Sequence, residues 1–239
     1  MTNDEQRPTL HVSRFTPHGL LIFDLDGTLF RTQTVTLPAV QRSFKAFGLP
    51  VPPDDAVLYF VGRPVSAFHA WLREQCPPEQ AGALIAAVDR TELELIPETG
   101  QLFPGVRETL EALRAAVDQM AICTNGPRAY VERVVMTQGL SPFFDAVRYR
   151  KSSADSKPRM VRELLERLPA RPALVIGDRS DDVQAAHENG LPIIAAAYGY
   201  GAATELAQAD AALASVYALP HLVHMLMDTH LPPRQNAAK

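Results

Sequence analysis

Three short apolar runs constrain this chain most: LLIF at 20–23, MAIC at 120–123 and ALVI at 173–176. Each has strand length and no polar alternation, the pattern of a strand covered on both faces in a parallel sheet. Each also ends in reactive side chains. LLIF runs into Asp24 and Asp26, MAIC into Thr124 and Asn125, and ALVI into Gly177, Asp178, Asp181 and Asp182. In open α/β sheets, ligands bind at the carboxyl ends of the strands. Adjacent strands would therefore bring these groups to one site.

The segments between the runs are amphipathic. GVRETLEALRAAV (105–117) places Leu110, Leu113 and Val117 on one face. PRMVRELLERL (158–168) has Pro158 in position for a first helical turn. SDDVQAAHENG (180–190) reads as a helix capped by its serine and stopped at Gly190. PIIAAA (192–197) and ADAAL (209–213) are further strand candidates. Strands alternating with helices imply an α/β fold around a parallel sheet.

One region breaks the rhythm. Between Thr34 and Glu98 the segments are mainly helical: LPAVQRSFKAFG, PVSAFHAWLREQC and PEQAGALIAAVDRTELELI. Gly48, PVPP (50–53), Gly62 and the prolines at 77–78 punctuate them. The reading is a helical insertion after the first strand, with the α/β core resuming near Phe103. The boundaries are 1–32 and 99–239 for the core and 33–98 for the insertion. The LPPRQNAAK tail is expected to fray.

Composition narrows the function. With 239 residues, 46% of them hydrophobic, the chain can bury one sizeable domain or two modest ones. A formal charge of −4 lacks the basic footprint of a nucleic-acid binder. Two distant cysteines, Cys76 and Cys123, argue against a disulfide framework or a cysteine metal site, and Cys123 reads as a buried thiol. No run approaches the ~18 apolar residues of a membrane span. The amino-terminal stretch has no apolar signal core, so a cytoplasmic setting is expected. Three aspartates at converging strand ends form a hard oxygen cluster suited to magnesium, which relieves their repulsion.

The order DLDGT, TN, a lysine in SKP (156–158) and GDRSDD resembles the four-motif signature of the haloacid dehalogenase superfamily, and the resemblance covers nearly the whole chain. It implies a Rossmann-like parallel-sheet core with a separate all-helical, C1-type cap domain, as in phosphoglycolate phosphatase-like members. By position, Asp24 would be the nucleophile that forms an aspartyl-phosphate. Asp26 would protonate the leaving alcohol and then activate water. Thr124 would donate to phosphoryl oxygens, helped by backbone N–H groups near Asn125 and Gly126. Lys157 would neutralise the nucleophile and the transferring group. Magnesium would be held by Asp178, the Asp24 carboxylate, the Asp26 backbone carbonyl and Asp182. Asp26 can act as an acid only if protonated: neighbouring carboxylates raise its pKa and magnesium lowers it.

Other residues stay open at this level. Asp181 reads as a first-turn helix acid rather than a ligand. Arg179 stands where many relatives carry a small hydroxyl residue. Arg63 in the GRP stretch (62–64) reads equally as a contact to an anionic substrate or as a plain loop residue. Asn125, Arg128 and YGYG (198–201) are candidates for the entrance; Phe68 and Trp71 for cap core or substrate wall. His221 and His224 read as surface-helix residues, not a metal pair.

The resemblance thus implies a magnesium-dependent phosphatase acting on a small phosphorylated metabolite: phosphoglycolate, pyrophosphate, a nucleotide or a sugar phosphate. A sugar phosphomutase and a non-catalytic phosphate-binding protein are the alternatives. Asp26 and Thr28 speak against a dehalogenase. The absence of a histidine between Asp26 and His69 speaks against a mutase. A monomer is expected, with a cap-mediated homodimer as the alternative.

Overall fold

The computed structural model describes residues 19–229, so the LPPRQNAAK tail and most of the amino-terminal polar stretch lie outside the described residues. The strands are β1 (Leu20–Phe23), β2 (Gln119–Thr124), β3 (Ala146–Tyr149), β4 (Ala173–Gly177), β5 (Ile193–Ala196) and β6 (Ala211–Leu213). They form one parallel sheet in the order β3-β2-β1-β4-β5-β6. The chain fills one side of β1 first, then returns to fill the other. That reversal puts a crevice at the carboxyl end of β1, between the two halves.

Alternate residues of β1 explain its unbroken apolar character. Leu21 and Phe23 join a cluster with Leu110, Val131 and Val223, supplied by α5 (Val106–Arg114), α6 (Arg128–Thr137) and α9 (Leu219–Thr229). Leu20 and Ile22 join an opposite cluster with Met160, Leu164 and Ala186, supplied by α7 (Lys157–Arg167) and α8 (Ser180–Glu188). Both faces are covered, so neither tolerates polar alternation. Burying each such side chain contributes about 1.5–3 kcal/mol.

The segment after β1 forms α1 (Gln33–Ala46), α2 (Asp54–Leu58), α3 (Val65–Glu74) and α4 (Pro78–Thr99). These helices carry their own apolar cluster of Val40, Phe44, Val57, Phe68, Leu72, Leu84 and Val88. Phe68 stacks on Trp71 with ring centroids 5.8 Å apart, as expected of core residues. The roots of α1 and α4 are different: Val35, Ala39, Leu95 and Ile96 belong to the cluster under the sheet.

Three details depart from the sequence reading. The edge strand β3 and helix α6 were not anticipated. AVRY in β3 alternates buried and half-buried residues and carries an arginine, so no apolar run marks it. The cap of α8 also differs. Ser180 is the first helical residue, and Arg179 is the capping position. The Asp182 carboxylate accepts from the Arg179 backbone N–H at 3.0 Å. The Ser180 hydroxyl is engaged elsewhere, donating to Glu205 at 3.1 Å. Gly190 does end the helix, with φ +65°. Among the described residues, no helix is long and apolar enough to cross a membrane.

Candidate active site

Strand register delivers the acids to one place. Phe23 pairs with Ile122 on one side and Ile176 on the other, so Asp24 leaves the sheet level with Cys123 and Gly177. The Asp24 N–H still donates to the Ile176 carbonyl at 2.8 Å, which fixes its backbone to β4. Beyond it the chain turns at Gly27, with φ +87°. A Cβ at Gly27, in a conformation that already disfavours one, would run into the Asp178 carboxylate. Gly199 and Gly201 approach Asp178 from the other side just as closely. The YGYG stretch is therefore the wall behind Asp178, and the Tyr200 N–H donates to its Oδ2 at 2.7 Å.

Carboxylate oxygens of Asp24, Asp178 and Asp182 all lie within 4.8 Å of one another, and all three residues are buried. Lys157 enters this cluster. Its Nζ is 2.5 Å from Asp24 Oδ1 and 2.6 Å from Asp182 Oδ1. The other oxygen of Asp24 has no hydrogen-bond partner. Burial pushes the Asp24 carboxyl well above the usual carboxylate range; Lys157 pulls it back, and Asp182, Asp178 and Asp26 push it further. Asp178 is pushed up to about 7, by burial first and by Asp182 next. Burial opposes the Lys157 charge, but Asp182 and Asp24 outweigh it and hold the ammonium above its ordinary range. One cation among three buried acids leaves excess negative charge, and one acid oxygen has no partner. That donor set fits a hard divalent cation such as magnesium.

Asp26 points elsewhere. Its Oδ1 accepts from Tyr130 Oη at 2.6 Å and Thr32 Oγ1 at 2.7 Å, and its Oδ2 accepts from Thr124 Oγ1 at 3.4 Å. Burial raises its pKa; the hydrogen bonds from Tyr130 and Thr32, then Lys157 and Thr124, pull against that without cancelling it. Thr124 Oγ1 also accepts from the Gly126 N–H at 3.0 Å. The side chain of Asn125 is a junction. Its Nδ2 donates to the Gly62 carbonyl at 3.0 Å and to Asp181 at 2.9 Å, and its Oδ1 accepts from Arg150 at 2.7 Å. Asp181 is a first-turn acid of α8, as read, and it is bound to Asn125.

Lys157 is presented by local structure. It is the first residue of α7, where an ammonium opposes the helix dipole, so the acids facing it must hold it there. Ser156 caps the helix by accepting from the Arg159 N–H. The preceding loop is braced on Asp155, whose carboxylate accepts from Arg148 at 3.0 Å and from the Lys151 N–H at 2.7 Å.

Arg63 does not reach the acid cluster. Its guanidinium lies 4.4 Å from the Tyr59 ring centroid, donates to the Tyr59 carbonyl at 3.0 Å and pairs with Glu205 at 3.3 Å. Arg179, also paired with Glu205 at 3.6 Å, donates to the Tyr59 carbonyl at 2.9 Å. The loop between α2 and α3 is thereby tied to the sheet ends. Arg128 is exposed and pairs with Glu132 at 2.7 Å. Neither His221 nor His224 belongs to the metal-capable cluster found among the described residues.

A cavity of about 310 Å³ opens between Asp26 and the α1–α4 helices. Arg63, Gly126 and Phe68 line it, with Thr32, Glu92 and Tyr130. Sequence reading missed Thr32, Tyr130, Glu92, Arg150 and Glu205. Thr32 alone had a local signal, as a hydroxyl six residues past Asp26; the others come from distant elements.

Known proteins resemble this chain in sequence and in fold. Residues 21–196 match the family model described as haloacid dehalogenase-like hydrolase. A Cupriavidus necator protein named phosphoglycolate phosphatase, plasmid, is 32% identical over 218 residues, covering 87% of this chain and 94% of that one. The Escherichia coli K12 protein named phosphoglycolate phosphatase is 30% identical, covering 81% and 88%. A solved structure of a predicted phosphatase from Clostridium acetobutylicum superposes with a TM-score of 0.74 at 26% identity, covering 87% and 99%. By fold, motif order and this match, the chain belongs to the haloacid dehalogenase-like hydrolase family.

Proposed function

We propose that this protein is a magnesium-dependent phosphatase that hydrolyses a small phosphomonoester through an aspartyl-phosphate on Asp24. The observation that carries the reading is the division of labour between two neighbouring acids. Asp24 has one oxygen held by Lys157 and the other without a hydrogen-bond partner. Asp26 lies among three hydroxyl groups and lines the cavity.

Asp24 Oδ2 attacks phosphorus, and the bond from phosphorus to the ester oxygen breaks. Asp26 gives its proton to that departing oxygen; its raised pKa favours the protonated form this requires. A water then attacks the phosphorus of the aspartyl-phosphate. Asp26, now ionised, takes the proton, and the phosphate leaves Asp24 as the free carboxylate. Tyr130, Thr32 and Thr124 keep the ionised Asp26 from being too costly between the two steps. Lys157 compensates charge on the nucleophile and on the phosphoryl oxygens. Thr124 and the backbone beside Asn125 and Gly126 receive the phosphoryl group. Asp24, Asp178 and Asp182, with the Asp26 carbonyl, would hold the magnesium, which supplies charge neutralisation to the phosphoryl oxygens when bound.

In this reading residues 33–98 are a cap domain on a core of 1–32 and 99–239. Its hinges fall near Arg31–Thr34 and Glu98–Leu102. The ties from Arg179 and Asn125 to the Tyr59–Gly62 loop support a closed cap, which excludes water from the acids. The curated relatives' name makes phosphoglycolate the first substrate to try. The test is phosphate release from a panel of phosphomonoesters with and without magnesium. Release should depend on magnesium and vanish in Asp24→Asn; turnover that survives in a folded variant rejects Asp24 as the nucleophile.

A further inference from the structure

The cavity over Asp26 carries its own statement about the leaving group. Its walls include the apolar Phe60, Phe68 and Leu93, and its polar lining away from Asp26 holds two acids, Glu92 and Asp89, beside Arg63, His69 and the hydroxyls of Thr32, Thr36 and Tyr130. Glu92, on α4, reaches across to the Thr36 hydroxyl, which donates to it. Asp89, one helical turn earlier, pairs with His69 at 2.9 Å. The basic side chains that line the cavity are both already engaged: His69 by Asp89, and Arg63 by Glu205, which it shares with Arg179. A leaving-group carboxylate placed beside Glu92 and Asp89 would meet two acids, and the His69 ring there is already engaged by Asp89. A hydroxyl or ammonium would find two carboxylates with acceptor capacity left.

We propose that Glu92, with Asp89 held by His69, forms a leaving-group subsite that selects phosphomonoesters of polyols or amino alcohols over those of hydroxy acids. The proposal rests on the phosphatase reading above for the identity of the reacting end. It runs against the carboxylate-bearing substrate in the relatives' names, so the two are separable. Selection here is electrostatic. The subsite offers acceptors to hydrogen-bond donors and repels a second anion.

The test compares compounds of matched length: 2-aminoethyl, 2-hydroxyethyl and ethyl phosphate, and 2-phosphoglycolate. It is run at pH 8, above the value of about 7 to which burial pushes Glu92. The donor-bearing compounds should exceed phosphoglycolate in kcat/KM by about tenfold or more, the scale of one charge-assisted hydrogen bond. Glu92→Gln should shrink that ratio several-fold. A preference for phosphoglycolate, or a ratio untouched by Glu92→Gln, overturns the subsite. Calorimetric binding of the same four compounds to Asp24→Asn with magnesium separates the two readings. Tighter binding of the donor-bearing compounds there, without turnover in wild type, upholds the subsite and rejects the hydrolysis. Equal, reversed or absent binding overturns the subsite.

Discussion

Replacing Lys157 by methionine tests the electrostatics of the site most directly. The aliphatic stem is kept, and the charge between Asp24 and Asp182 is removed. The ammonium sits 2.5 Å from one carboxylate and 2.6 Å from the other, and Lys157 is only 3% exposed, so no solvent replaces it. Breaking a buried pair from one side costs about 3–5 kcal/mol, because the remaining charge is left uncompensated. Two acids lose their partner here, so the upper part of that range applies in the metal-free protein at pH 8. That is a large share of the ~5–15 kcal/mol that holds a domain folded.

The pH dependence of that loss fixes the sign of the argument. Asp24 already has a folded-state pKa above its unfolded one, and losing Lys157 raises it further. The folded protein then binds more protons than the unfolded chain, so stability is lost as pH rises through the gap and recovered as it falls. The titration of Lys157 lies above its ordinary value, outside a window of pH 5.5 to 8. Urea unfolding of wild type and Lys157→Met, in chelator and at both ends of that window, should show a difference that shrinks on acidification. Magnesium should shrink it too. A difference below about 1 kcal/mol at pH 8, or one that grows on acidification, refutes the reasoning.

Other perturbations probe the remaining contacts. Tyr130→Phe removes a 2.6 Å donor to Asp26, worth about 1.5–3 kcal/mol to the ionised form. Asp26 should then hold its proton to higher pH, and the alkaline limb of kcat/KM should move up; an unmoved limb rules out Asp26 as the group behind it. Magnesium must compete with the proton that burial keeps on Asp178 up to about 7. Its affinity, measured by calorimetry, should weaken about tenfold per unit below that value, and a flat profile would exclude Asp178 as a ligand. Glu205→Gln removes the charge shared by Arg63 and Arg179. Loosening of the Tyr59–Gly62 loop should raise KM about threefold to tenfold with a smaller change in kcat; a change confined to kcat would point away from cap closure.

The acids at the strand ends were legible because three physical demands fall on adjacent residues. A doubly covered strand must be apolar throughout, an α/β sheet exposes its functional groups at one end, and Gly27 must lack a Cβ beside Asp178. Strand, turn and acid therefore appear as one word, DLDGT. Lys157 was legible only through the order of the motifs, because a lone lysine at a helix start carries no local signature. Its counter-charges sit 133 residues away at Asp24 and on α8 at Asp182. Tyr130 was not legible at all. Its partner is 104 residues away, and the helix that holds it has a modest apolar face that blends into its neighbours.

The same division separates reaction from selectivity. Apart from Lys157 on α7, the groups assigned to the phosphoryl end lie in short motifs, since strand register brings them together. Glu92, Asp89, His69 and Arg63 line one cavity only because α1–α4 pack on one another beside Asp26. Their pairing depends on helix rotation and tilt, which follow from side chains such as Phe44, Leu72 and Leu84, members of the helices' apolar cluster that do not line the cavity. A change in that cluster can re-aim Glu92 without touching one motif residue. For that reason a shared set of catalytic motifs at about 30% identity fixes the bond that is broken more firmly than the molecule that carries it.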